Sequence, residues 1–154
     1  MTQRLDYVNA APEVFKKMYA LEAYLKHCGL ELSLQELVKF RISQINGCAY
    51  CLDMHSKDAR AAGESEQRLY CLSAWRETPF YTERERAALE WAEHLTLISE
   101  KHVPDDLFER VRKHFSDEEL VNLTLAVTMI NSWNRFAISF QSEVGSYQSA
   151  KATA

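Results

Sequence analysis

Residues 116–140 read SDEELVNLTLAVTMINSWNRFAISF, the longest stretch of the chain with a helical spacing of apolar side chains. Its first four residues match the Ser-x-x-Glu capping box, in which both side chains satisfy backbone N–H groups at a helix start. Apolar side chains then recur on one side of the predicted helix: Leu120, Leu123, Val127, Ile130, Ala137 and Phe140. The stretch therefore predicts a long amphipathic helix.

The same helical pattern extends through most of the preceding sequence. Residues 82–85 and 33–36 also match the capping box and predict helix starts. Further helices are predicted to begin at Pro12, near Cys48 and at Pro104. No segment alternates polar and apolar residues for long enough to indicate a strand. We therefore predict an all-α, single-domain helical bundle.

Composition and charge narrow the classes of protein to consider. The chain has 154 residues, 47% hydrophobic and 26% charged, which is typical of one globular domain spanning residues 1–154. The net charge of −4 argues against a nucleic-acid partner, because phosphate binding usually needs a basic excess. No apolar run approaches the roughly 20 residues that span a bilayer, so we expect no membrane partner. Small polar residues predict a frayed tail over residues 145–154.

The four cysteines differ in their spacing. Residues 1–11 contain no apolar segment typical of a secretory signal, so we expect a cytoplasmic protein. In that reducing compartment the Cys48-x-x-Cys51 pair is more often catalytic or metal-binding than a structural disulfide. Cys28 and Cys71 lack such spacing, and we predict that they are thiols of the core.

Residues 44–55, QINGCAYCLDMH, contain the residues best suited to chemistry. Cys48 and Cys51 lie one turn apart on the predicted helix, and His55 follows four residues later on the same face. The helix start favours a thiolate at Cys48, whereas the nearby imidazole favours proton removal from Cys51. Either sulfur could therefore be the nucleophile of a dithiol redox site.

Several alternatives stay open for these residues. Glu36 could orient His55 if the turn at residues 46–47 folds its helix back. Glu is also common at this place for another reason, because the last residue of a Ser-x-x-Glu capping box is usually Glu or Gln. Zinc could bind Cys48, Cys51 and His55, with Glu36, Cys28 or a water as a fourth ligand. A redox sensor without turnover is a further possibility, as are two inert core cysteines.

The sequence from Glu36 through residues 43–51 to His55 resembles the alkylhydroperoxidase AhpD-like branch of the carboxymuconolactone decarboxylase family. Residues 74–80, 82–91 and 130–135 also look like that branch. The resemblance extends over about residues 13–140. It implies an all-helical protein that assembles as a homo-oligomer, a trimer or a hexamer.

The resemblance also implies a reaction and a role for each site residue. Cys51 resembles the thiol that attacks a hydroperoxide, Cys48 the resolving thiol, His55 the proton relay and Glu36 the acid that drives it. No cofactor or metal is implied; a dithiol donor of the thioredoxin or lipoamide type is the co-substrate. Some AhpD proteins have a His where this chain has Tyr50, so a relay through that position is absent here.

Overall fold

A computed structural model describes residues 2–149, and this part of the chain contains nine α-helices, one 3-10 helix and no strand. The helices are α1 (Tyr7–Ala10), α2 (Pro12–Leu25), α3 (Leu32–Asn46), α4 (Ala49–Ala61), α5 (Glu66–Cys71), α6 (Glu83–Thr96), α7 (Ile98–Lys101), α8 (Asp105–Val111) and α9 (Asp117–Phe140), with the 3-10 helix at Leu72–Glu77. The all-α prediction is confirmed. None of the helices in the described residues is long and apolar enough to cross a lipid bilayer.

Helix α3 lies at the centre of the bundle, where it packs against α4, α6 and α9. Its side chains Val38 and Ile42 are completely buried and join Leu123 and Ile130 of α9 in the main apolar cluster. Burying apolar surface stabilises the bundle by about 25 cal/mol per Å2 removed from water. Because α3 is packed on several sides, side chains on its different faces reach different parts of the molecule.

Two of the three predicted capping boxes are present, at the starts of α6 and α9. The hydroxyls of Thr82 and Ser116 accept the N–H groups of Glu85 and Glu119, and those glutamates accept the N–H groups of Thr82 and Ser116 in return. Both helices therefore begin where the local sequence predicts.

The third predicted capping box, at residues 33–36, is wrong. Helix α3 begins at Leu32, so that Ser33 lies in its first turn, and the N-cap residue Glu31 makes no side-chain capping bond. Glu31 instead pairs with Arg84 of α6 at 3.0 Å, a tertiary contact that local sequence does not show. Glu36 is consequently not part of a cap.

The sequence-based expectation for the end of the chain needs correction. Residues 145–149 were expected to belong to a frayed tail, but the Tyr147 hydroxyl donates to the two Asp58 carboxylate oxygens of α4 at 2.9 and 2.8 Å. The segment is non-helical, yet these bonds hold it against the bundle. Residues 150–154 of the predicted tail lie outside the described residues.

Candidate active site

The turn between α3 and α4 positions the two cysteines. Gly47 has a φ of 68°, in the left-handed region that glycine adopts at little cost. Cys48 is the N-cap of α4, and its Sγ accepts the backbone N–H of Cys51 at 3.4 Å. The sulfurs of Cys48 and Cys51 are bonded to each other, with 5.4 Å between the Cα atoms, an ordinary separation for a disulfide. The predicted pair is therefore present at the start of a helix.

A network of polar side chains anchors this turn to α9, with Ser43 and Asn134 buried and Asn46 and Asn131 half-buried. The Asn46 Nδ2 group donates to Oδ1 of Asn131 at 3.0 Å and to Oδ1 of Asn134 at 2.9 Å. Asn134 in turn donates to the Ser43 hydroxyl at 3.2 Å. Leaving a buried amide unpaired costs about 1–3 kcal/mol, so the network holds the turn in one position. The only signal in the sequence was the Ile-Asn pair present in both helices.

The packing of α3 on α4 brings Glu36 to His55. The Nδ1 atom of His55 lies 2.7 Å from Oε2 of Glu36, although 19 residues separate them in sequence. His55 is buried, whereas Glu36 is partly exposed. A carboxylate at Nδ1 fixes the ring orientation and makes Nε2 the nitrogen that can accept a proton. The arrangement therefore suits His55 to serve as a base whose charged form Glu36 stabilises.

A lysine and a second glutamate extend this pair, and sequence reasoning missed both. The Lys39 Nζ lies 3.9 Å from Oε1 of Glu36 and donates to Oε2 of Glu22 at 3.1 Å. The remaining oxygen of Glu22 accepts the indole N–H of Trp133 at 2.9 Å. Lys39 is only 7% exposed, and a buried ammonium requires counter-charges of this kind. The three-residue spacing of Glu36 and Lys39 was visible in the sequence, but the approach of α2 and α9 was not.

A pocket of about 410 Å3 lies beside Cys51. Cys51, His55 and Glu36 contribute to its wall, whereas Cys48 does not. Five aromatic side chains also line it: Tyr7, Tyr19, Tyr50, Trp133 and Tyr147. Of the two cysteines, Cys51 is therefore the one that borders a space able to hold a small organic molecule.

Tyr50, which lies between the two cysteines in sequence, also lines the pocket. Burial raises the pKa of its hydroxyl above the ordinary value for tyrosine, and the nearby Tyr7, Tyr19 and Asp53 raise it further. The phenol therefore stays protonated at neutral pH and cannot serve as a base.

Neither a cluster of metal ligands nor a second bonded cysteine pair is found in the part of the chain that the structure describes. Among residues 2–149, no three His, Cys, Asp or Glu side chains are arranged so that they could hold a metal ion. Cys28 and Cys71 are free and half-buried, and the Cys28 thiol donates to the Leu25 carbonyl at 3.2 Å.

Known proteins are similar to this chain in sequence and in fold. Residues 12–94 match the Carboxymuconolactone decarboxylase family. The uncharacterized protein YdfG of Bacillus subtilis is 50% identical over 146 residues, which are 95% of this chain and 99% of YdfG. The crystal structure of ATU0492 from Agrobacterium tumefaciens, a protein of unknown function assigned provisionally to AhpD-type antioxidant defence, has a TM-score of 0.90 and 49% identity, covering 95% of this chain and all of that one. An uncharacterized peroxidase-related protein of Ralstonia eutropha, described as an alkylhydroperoxidase AhpD core, has the same fold at 22% identity, with a TM-score of 0.79 and coverage of 91% and 75%.

Proposed function

The chain belongs to the carboxymuconolactone decarboxylase family, and we propose that it is a thiol-dependent peroxidase that reduces organic hydroperoxides with the Cys48–Cys51 pair. One observation carries this proposal: Cys51 faces a pocket beside His55, while its disulfide partner Cys48 lies behind it at the helix start. A purely structural disulfide would need neither the pocket nor the imidazole. The provisional AhpD assignment of ATU0492 supports the same reaction.

The first step begins with the reduced pair. His55 takes the proton of the Cys51 thiol, and Glu36 stabilises the resulting imidazolium. The Cys51 thiolate attacks the terminal oxygen of the hydroperoxide ROOH, so that an S–O bond forms and the O–O bond breaks. The alkoxide takes the proton from His55 and leaves as the alcohol ROH. Cys51 is then a sulfenic acid.

The second step closes the disulfide. Cys48 is suited to resolve the sulfenic acid, because the N-cap position of α4 favours its thiolate. Its sulfur attacks that of Cys51, and the hydroxide that leaves combines with the proton of Cys48 to form water. The separation of 5.4 Å between the Cα atoms accommodates this bond.

A dithiol donor of the thioredoxin or lipoamide type completes the cycle. One donor thiolate attacks the disulfide and forms a mixed disulfide, and the second donor thiol releases it as the donor's own disulfide. Both cysteines return to thiols, and the net reaction converts ROOH and a dithiol to ROH, water and a disulfide. The supply of reduced dithiols makes the cytoplasm the expected compartment. A homo-oligomer, either a trimer or a hexamer, stays a prediction for sedimentation analysis.

The test combines turnover with mass spectrometry. One equivalent of cumene hydroperoxide should link Cys48 to Cys51 within one chain of the reduced protein, and added dithiol should sustain turnover. Cys51→Ser should abolish turnover, and Cys48→Ser should accumulate a sulfenic acid on Cys51 that a dimedone probe traps. Cys28→Ser, the matched control, should leave the rate unchanged.

Two outcomes would overturn the proposal. Full turnover by Cys48→Ser or Cys51→Ser would exclude the dithiol cycle. Oxidation by one equivalent of peroxide, with no turnover when dithiol is supplied, would instead indicate a redox sensor.

A further inference from the structure

A second pocket, of about 350 Å3, adjoins the pocket at Cys51. The two pockets share five lining side chains: Lys26, Glu36, Lys39, Asp58 and Tyr147. These shared side chains separate two spaces that would otherwise form one larger cleft.

Tyr147 differs from the other shared residues in how it is held. Glu36 and Lys39 lie on α3, Asp58 lies on α4, and Lys26 directly follows α2. Tyr147 alone comes from the non-helical residues 141–149. Tyr147 therefore belongs to a segment that can move without displacing a helix.

The polar bonds that hold residues 145–147 of this segment beside the site come from α4, the helix that carries Cys51 and His55. The N–H of Gly145 donates to Oδ2 of Asp53 at 3.2 Å, and Lys57 donates to the Tyr147 carbonyl at 3.0 Å. The Tyr147 hydroxyl donates to Asp58, as described above. These bonds are partly accessible to water, which can replace them, so the segment opens more readily than the helical core.

We propose that Tyr147 limits the size of the hydroperoxide that reaches Cys51, by separating the two pockets. This inference rests on the proposed function for the identity of the ligand. With the ring in place, the space of about 410 Å3 suits a compact aromatic or branched alkyl hydroperoxide. Without the ring, the two spaces merge and a longer or bulkier molecule reaches the sulfur.

The charges around the pocket favour a neutral ligand. Glu22, Glu36 and Asp58 line it against two lysines, one of which, Lys39, is already engaged by Glu22 and Glu36. An anionic ligand would therefore meet an excess of negative charge, whereas a neutral one would contact the aromatic wall.

The first test does not depend on peroxidase activity. In a Cys28→Ser, Cys71→Ser background, the reduced protein is alkylated with iodoacetamide or with the bulky N-(1-pyrenyl)maleimide, and Cys51 labelling is quantified by peptide mass spectrometry. Tyr147→Ala should raise the ratio of the alkylation rate with the pyrenyl maleimide to the rate with iodoacetamide by about tenfold or more. Tyr147→Phe, which keeps the ring, should change this ratio by less than about twofold. Tyr70→Ala, which removes an exposed tyrosine ring, is the control.

The second test measures kcat/KM for cumene hydroperoxide and for a bulkier neutral hydroperoxide. Tyr147→Ala should shift this ratio toward the bulkier substrate, again with Tyr147→Phe unchanged. Tyr147→Val, which also removes the ring, should shift both ratios in the same direction and keeps the test decisive if Tyr147→Ala does not fold.

The outcomes separate the two proposals. A shifted alkylation ratio in a protein that turns over no hydroperoxide would uphold the role of Tyr147 and overturn the proposed function. Unchanged ratios in folded Tyr147→Ala or Tyr147→Val, including an equal rise for small and bulky reagents, would overturn the role of Tyr147.

Discussion

Glu36 on α3 and Glu93 on the adjacent α6 are two carboxylates that lie in contrasting surroundings. Glu93 of α6 accepts hydrogen bonds from Arg41 at 2.8 Å, Trp75 at 2.9 Å and Arg76 at 2.7 Å, and its side chain is 4% exposed. Glu36 contacts His55 at 2.7 Å and Lys39 at 3.9 Å, its side chain is 22% exposed, and it lines the pocket at Cys51.

The two surroundings suit different tasks. Burial of Glu93 raises its carboxyl pKa, but the hydrogen bonds from Trp75, Arg76 and Arg41 outweigh burial and hold the pKa below its ordinary value. That cluster keeps one charge state and joins α6 to α3 and the 3-10 helix. At Glu36 the partner His55 can itself gain or lose a proton, and a ligand has access. The closed cluster around Glu93 therefore stabilises the fold. The open cluster of Glu36, His55 and Lys39 is available for chemistry.

The largest effect is expected at the closed cluster. Glu93→Gln should lower the free energy of unfolding by about 3–5 kcal/mol, because it leaves the largely buried Arg41 without its counter-charge. Urea denaturation followed by circular dichroism measures the change. Glu90→Gln on the same helix is the control, since its partner Arg110 is half exposed. A loss below about 1 kcal/mol would mean that the Glu93 cluster acts as an ordinary surface ion pair.

The next effect is expected at the open cluster. Glu36→Gln should lower kcat/KM by about 10²-fold with little loss of stability, because the amide cannot stabilise a charged imidazole. The rate of Cys51 alkylation, measured against pH, should change as well, and Glu36→Asp should restore part of it. An unchanged pH profile combined with a large loss of stability would assign Glu36 a structural role.

Acid should reduce the difference in the free energy of unfolding between wild type and Glu93→Gln. A carboxylate with a lowered pKa contributes stability above its unfolded value, which is about 4.5, and loses it as the pH falls through the lower folded value. The gap in the free energy of unfolding should therefore be constant near neutral pH and shrink below about pH 4.5. Glu31, whose pKa the Arg84 hydrogen bond lowers, is present in both proteins and cancels. A gap that does not shrink at all between about pH 7 and about pH 2 would contradict this assignment.

The smallest effect tests whether Glu36 has a capping role. Ser116→Ala should lower the free energy of unfolding by about 1 kcal/mol, because Ser116 caps α9. Ser33→Ala should cost much less, since Ser33 is exposed within the first turn of α3. Thermal unfolding of both variants checks the pair, and equal losses would reinstate the capping box at residues 33–36.

Local features of this protein were predictable from the sequence. The starts of α6 and α9 follow from hydrogen bonds between residues three apart, and the pairing of Cys48 with Cys51 follows from one turn of helix. The helical period also placed His55 on the face of the cysteines. Each of these depends on neighbours within seven residues, whose relative positions the backbone geometry determines.

The surroundings of the site depended on the tertiary structure. Glu36 meets His55 because α3 folds back on α4, and Lys39 meets Glu22 because α2 packs nearby. Tyr147 comes from a segment whose polar sequence indicated fraying, yet it reaches Asp58 from 89 residues away. Such contacts depend on how the buried faces of separate helices fit together. The sequence by itself therefore determined the cysteine pair, and only the packing decided which acid, lysine and tyrosine surround it.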